Sequence, residues 1–240
     1  MEKNKFKKIS VVVPTEIDFV RAICFEYQIS DCTPLPDRVC DDDISTIREG
    51  FAFKVMSAGR KLSYKFTEVL HEFPNVYHLD PLYAGLLHQR YNMDHYDRAV
   101  SEVSHAQEMV DAISGDYVKL LLKDDCDSRD KCKSLRVTAL ARMFTFAKRS
   151  IPALAFLDKV RQYMASLEDD VAATTLMNKY SDVLPLENDP FPQRVYEDEI
   201  ADFVEPETLL WVEELDCQYD LWLKGDDGQE VVRRMEALFN

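Results

Sequence analysis

Residues 94–120, DHYDRAVSEVSHAQEMVDAISGDYVKL, decide the fold. Within them Tyr96, Ala99, Val103, Ala106, Val110, Ile113, Tyr117 and Leu120 follow one another at alternating steps of three and four. That spacing lays a narrow apolar seam along about seven helical turns, and such a seam needs a partner helix to cover it.

The flanking segments repeat the helical pattern. Just upstream, Asp80-Pro81 opens a short helix that runs through Leu87. A longer one extends from Asp41-Asp42-Asp43 to Phe73-Pro74, with three acids at the positive end of its dipole and a proline at its close. Gly50 and Gly59 each weaken that helix by up to roughly 1 kcal/mol relative to Ala, which puts a candidate break near Gly59. Before it, Pro14, Pro34 and Pro36 leave room for one helix, Glu16 to Gln28, with Thr15 as cap and Asp18 in its first turn. Downstream, a helix covers Arg129–Arg149, and Ser150-Ile151-Pro152 reads as a restart with Pro152 in the first turn. Leu154, Leu157, Val160, Met164 and Leu167 then form a buried face. No segment sustains period-two alternation. The expected fold class is all-α, a bundle of about five helices followed by an acidic C-terminal tail with short helices.

Charge marks the domain boundary. Residues 1–167 hold 24 acids and 24 bases, whereas residues 168–240 hold 20 acids and 5 bases, so the whole net charge of −15 belongs to the second segment. The expected organisation is therefore a helical domain at 1–167 and an acidic, partly helical or disordered tail at 168–240. Both tryptophans lie in that tail, where Trp211, Leu215, Tyr219 and Trp222 stand as large apolar anchors among acids. Two readings are open: the anchors engage a basic or hydrophobic partner, or they dock on the bundle of the same chain.

Several function classes find no support. No GxxxxGK[ST], GxSxG or HExxH motif occurs. The five histidines are spread over several helices interrupted by Pro74 and Pro81, so no metal site is expected. The six cysteines form no CxxC pair and read as free thiols of an intracellular protein. No run approaches 18 apolar residues, and Val11-Val12-Val13 is too short for a signal peptide, so no membrane partner is expected. No catalytic residue, cofactor or small-molecule substrate is assigned.

What remains is basic. Residues 128–167 carry nine bases against two acids. Lys131, Arg142 and Arg149, spaced 11 and 7 apart, fall within about 20° of one line on a helix of 100° per residue. Beside that line runs the apolar stripe Leu135, Ala139, Met143 and Phe146. Such a ridge can hold phosphates. Equally, residues 9–127, with 21 acids against 11 bases, can neutralise it within the chain.

A colinear set of short stretches runs through the first 165 or so residues. It comprises Phe6-Lys7-Lys8-Ile9, Val12-Val13-Pro14-Thr15 with Asp18-Phe19, Thr33-Pro34, and Ile44-x-x-Ile47-Arg48 through Lys54-Val55. It continues with Phe73-Pro74, Pro81-x-Tyr83-Ala84, Asp94-His95-Tyr96 and Asp116-Tyr117-Val118-Lys119-Leu120. Cys132-Lys133, Ala139-Leu140-Ala141-Arg142-Met143, Lys148-Arg149, Leu157 and Val160-Arg161-Gln162 complete it. In this set the chain resembles the N-terminal helical domain of the nucleolar GTP-binding protein 1 family, eukaryotic large-subunit ribosome assembly factors, with a plant-like character. The resemblance implies a nucleolar or nuclear location. It also implies a pre-60S partner, met through ribosomal RNA, ribosomal proteins or assembly factors. In that family a GTPase domain follows a few residues after the equivalent of Leu167, whereas this sequence continues into Glu168-Asp169-Asp170 and the acidic tail. GTP hydrolysis is accordingly not expected of these residues, which read as a truncated relative of the GTPase. RNA docking carries over only to bases on matching positions, namely Lys7, Lys8, Arg48, Lys54, Lys133, Arg142, Lys148 and Arg149, and Lys131 of the ridge joins them as a candidate. A protein-interaction module that binds basic proteins through its tail is the alternative.

Overall fold

The computed structural model describes residues 4–28, 44–167, 206 and 208–213. Among them are five long α-helices and no strand: α1 (Glu16–Gln28), α2 (Ile44–Glu72), α3 (Pro81–Tyr91), α4 (Met93–Leu121) and α5 (Arg129–Ser166). Short 3-10 turns at Lys5–Lys8 and Val76–His78 complete the ordered elements before α5. The protein is an all-α bundle, as the seam in residues 94–120 requires. Asp41-Asp42-Asp43 lie outside the described residues.

The seam on α4 is buried as its spacing dictates, with one change at its end. Tyr96, Ala99, Val103, Ala106, Val110, Ile113 and Tyr117 are buried. The last member is Leu121, fully buried, and not Leu120, which is 39% exposed. A straight helix of 3.6 residues per turn carries Leu121 to about 20° from the line of Tyr96 and Leu120 to about 120° from it.

Two further expectations change. α2 does not break at Gly59. A Cβ built there would lie 2.6 Å from Ser114 Cβ on α4 and 3.4 Å from Met143 Sδ on α5, so the glycine lets the three helices come close. α5 does not restart at Pro152 but runs unbroken through it. An interior proline costs about 3 kcal/mol. Leu154, Phe156, Leu157, Val160 and Met164, all buried beyond it, each return about 1.5–3 kcal/mol, so continuity wins.

The chain forms two compact units, interleaved in sequence. In one, drawn from residues 1–15, 65–105 and 150–195, Asn4 is fully buried. Its Oδ1 accepts from Phe6 N–H at 3.2 Å, and its Nδ2 donates to Met164 O at 2.8 Å. Phe6 meets the ring of Tyr96 edge-on at 6.2 Å, and Tyr96 Oη donates to Pro74 O at 2.8 Å. Burial pushes the Tyr96 phenol above its ordinary range, so it is a fixed donor. Asp80 caps α3 and Pro81 begins it, as expected. Asn92, at φ 61°, closes α3, and its Oδ1 accepts from Asp94 N–H at the start of α4; asparagine tolerates this left-handed backbone. Glu72, at the end of α2, accepts from Ser10 N–H, Ser10 Oγ and Val11 N–H, at 2.5, 2.8 and 2.8 Å.

In the other unit, drawn from residues 16–64, 106–149 and 196–240, α2, α4 and α5 meet at Gly59, Ser114 and Met143. Ser114 Oγ donates to Val55 O at 3.4 Å, and Ser63 Oγ to Asp111 Oδ2 at 3.1 Å.

Gly59→Ala should destabilise the protein by about 1–3 kcal/mol despite the better helix propensity of alanine, because the overpacking term exceeds it; urea unfolding checks this. The Val11 and Ser10 hydrogen bonds hold the Glu72 carboxyl below its ordinary value of 4.5. Its contribution is therefore present above that value and lost as pH falls through the lower folded one. Glu72→Gln should lower the melting temperature at neutral pH, and the difference from wild type should close in acid.

Candidate functional site

The candidate bases sit on α5, on α2 and in the first 3-10 turn. Around the α4–α5 connection the acids Asp124, Asp125 and Asp127 fall within reach of two of them. Arg48, from the start of α2, donates from Nε to Cys126 O at 2.6 Å, from Nη2 to Asp124 O at 2.8 Å and from Nη1 to Asp124 Oδ1 at 3.2 Å. Lys131 donates to the Asp125 carbonyl and pairs with Asp127 at 3.8 Å. Ser128 Oγ accepts from Lys131 N–H at 3.3 Å at the head of α5. Arg48 and Lys131 thus converge on one acidic loop.

Further along, α5 is enclosed on nearly every side: Arg136, Val137, Ala139 to Ala141 and Met143 to Ala147 are buried. Arg142, on the expected line, is half-buried, its Nη1 donating to Tyr117 Oη at 3.2 Å and its guanidinium 5.5 Å from that ring. Arg149 lies 6.0 Å over Phe146, and Lys148 is half-buried beside it. Lys54 is 6% exposed, and Lys133 is half-buried. Of the nine candidates, Lys7, Lys8 and Lys131 are exposed. Each of the nine makes a hydrogen bond, ion pair, ring contact or electrostatic interaction within the chain. The angular line Lys131–Arg142–Arg149 exists on the helix, with Lys131 exposed and Arg142 and Arg149 half-buried.

Of the tail anchors, Trp211 is buried, with its ring 4.8 Å from Phe144 of α5, and Thr208 and Val212 are buried beside it. Leu215, Tyr219 and Trp222 lie outside the described residues. Among the described residues no group of three or more His, Cys, Asp or Glu converges to hold a metal ion. No described helix is long and apolar enough to cross a membrane. Residues not singled out from sequence also shape the site: Tyr117, counted only as a seam residue, positions Arg142, and Arg136 lies 5.0 Å over Phe51.

The profile of the NOG1 N-terminal helical domain matches residues 6–169. The chain belongs to this family. It is 37% identical over 185 residues to nucleolar GTP-binding protein 1 of Arabidopsis thaliana, which covers 76% of this chain and 27% of that protein. A probable nucleolar GTP-binding protein 1 of Dictyostelium discoideum is 33% identical over 180 residues, covering 74% and 26%. The Saccharomyces cerevisiae protein is 33% identical over 142 residues, covering 58% and 22%. The chain therefore spans about a quarter of the length of these relatives. All nine candidate bases lie inside the family match, and the four tail anchors lie beyond it.

Arg48 serves the fold through three hydrogen bonds to the acidic loop, so Arg48→Ala should cost about 1–3 kcal/mol, measured by chemical unfolding. A residue kept only for an external phosphate would leave stability unchanged.

Proposed function

We propose that these residues form a non-catalytic helical binding module of large-subunit ribosome assembly. The module works in the nucleolus or nucleus and docks on the pre-60S particle without hydrolysing GTP. The observation that carries this reading is the family match over residues 6–169. Supporting it, residues 168–240 continue without a GxxxxGK[ST] loop. In this reading the helical domain at 1–167 is the docking body and the acidic segment from 168 is a separate functional region. The exposed Lys7, Lys8 and Lys131 are the bases best placed for phosphates, with Arg48, Lys54, Lys133, Arg142, Lys148 and Arg149 in supporting positions.

One observation favours a second reading, in which the module binds protein and not RNA. All nine bases already interact within the chain, so contacts to phosphates must compete with existing ones. In that case the acidic tail engages basic ribosomal proteins or assembly factors.

Expressed at native level with a tag, the protein should sediment with pre-60S particles; sedimentation only at the top of the gradient overturns both readings. Affinity for large-subunit ribosomal RNA fragments should fall steeply with salt and drop when Lys7, Lys8 and Lys131 are changed to Glu. A shallow salt dependence with intact particle association selects the protein reading. Saturable binding of a fluorescent GTP analogue would contradict the absence of catalysis.

A further inference from the structure

Two thiols that the function above does not use are held against each other at the α4–α5 connection. Cys126 and Cys132 are both buried, 1% and 0% exposed, and their Sγ atoms are 2.6 Å apart. The backbone on either side is fixed: Cys126 N–H donates to Lys123 O at 3.1 Å, and Cys132 N–H donates to Ser128 O at 3.1 Å. Arg48 holds the same turn through the Cys126 carbonyl at 2.6 Å. The two sulfurs are therefore kept together by a braced loop and the first turn of a helix. No third metal-ligating side chain converges on them among the described residues.

We propose that Cys126 and Cys132 are a reversible dithiol–disulfide couple that clips the α4–α5 connection to the first turn of α5. Closing the clip requires the sulfurs to approach by roughly half an ångström, to a bond of about 2.05 Å. The oxidant is a small-molecule disulfide such as oxidised glutathione. The first thiolate attacks it, forming a mixed disulfide and releasing one small thiol; the second attacks the protein sulfur and releases the other. Two S–H bonds and one S–S bond break, and one S–S and two S–H bonds form, so two electrons pass from the protein to the small disulfide. Burial, with Cys126 alongside, pushes the Cys132 thiol up to about 12. Both sulfurs being buried, attack follows a local opening of the loop, which makes the couple slow and selective. In a reducing compartment the dithiol is the resting form, and the clip reports a rise in small disulfides.

The test is a redox titration of the intact chain in glutathione buffers of increasing oxidised fraction, followed by acid quench, alkylation and tryptic mapping. The expected product is residues 124–129 joined to residues 132–133, with the loss of two alkylation sites and recovery on treatment with dithiothreitol. The thermal midpoint of the oxidised wild type should rise by roughly 5–10 °C. Cys126→Ser should abolish both the linked peptide and the rise. Alkylation of both thiols at every buffer ratio overturns the proposal, as does a first disulfide that joins either to another cysteine. The wild-type titration decides this even if the serine variant does not fold.

Discussion

Ser114 of α4 occupies the space that a side chain on Gly59 of α2 would need, and Met143 of α5 closes the same point. Three helices are thereby held at one level of their compact unit, and the register of α2 on α4 follows. Ser63 reaches Asp111 on one side of that level, and Val55 receives the Ser114 hydroxyl on the other. Farther toward the start of α2, the same register delivers Arg48 to the loop after α4. That delivery gives the loop three hydrogen bonds from Arg48, one of them to the carbonyl of Cys126. A glycine that propensity alone counts as a weakness is the condition for the close approach.

The charges of the helical domain are arranged in the same economical way. The run Asp124-Asp125-Cys126-Asp127 meets Arg48 and Lys131, while Arg142 and Arg136 spread their guanidinium groups over Tyr117 and Phe51. Planar, weakly hydrated arginine suits such sites over aromatic rings better than lysine. Of the 24 bases that balance 24 acids in residues 1–167, these four are held by groups of their own chain. A partner that reaches Arg48 or Lys131 competes with the acidic loop they already hold.

The seam of α4 was legible because a single buried face leaves a strong period in the sequence. Its end was misread by one residue, Leu120 for Leu121, because alternating steps of three and four average 3.5 and lag behind the helix. The ridge on α5 was half legible: the angle between Lys131, Arg142 and Arg149 follows from helix geometry alone. Whether that line faces water depends on neighbours packed around the helix, and no local pattern encodes them. The same holds at Pro152, where local propensity predicts a restart and distant burial overrides it. Trp211 on Phe144 and Asn4 on Met164 are contacts across long sequence separations, invisible to any window of neighbouring residues.

The bond from Asn4 to the Met164 carbonyl joins residues 160 positions apart. During synthesis the chain emerges from its beginning, yet the unit that holds Asn4 and Phe6 also needs residues 150 onward. Its neighbour in sequence has α2, α4 and α5 segments that are complete at Arg149. At about 5–20 residues per second, Met164 follows Arg149 by roughly 1–3 s. Asn4 and Phe6 therefore wait for a segment made much later, and until then the amide of Asn4 and the ring of Phe6 stay open to whatever meets the nascent chain.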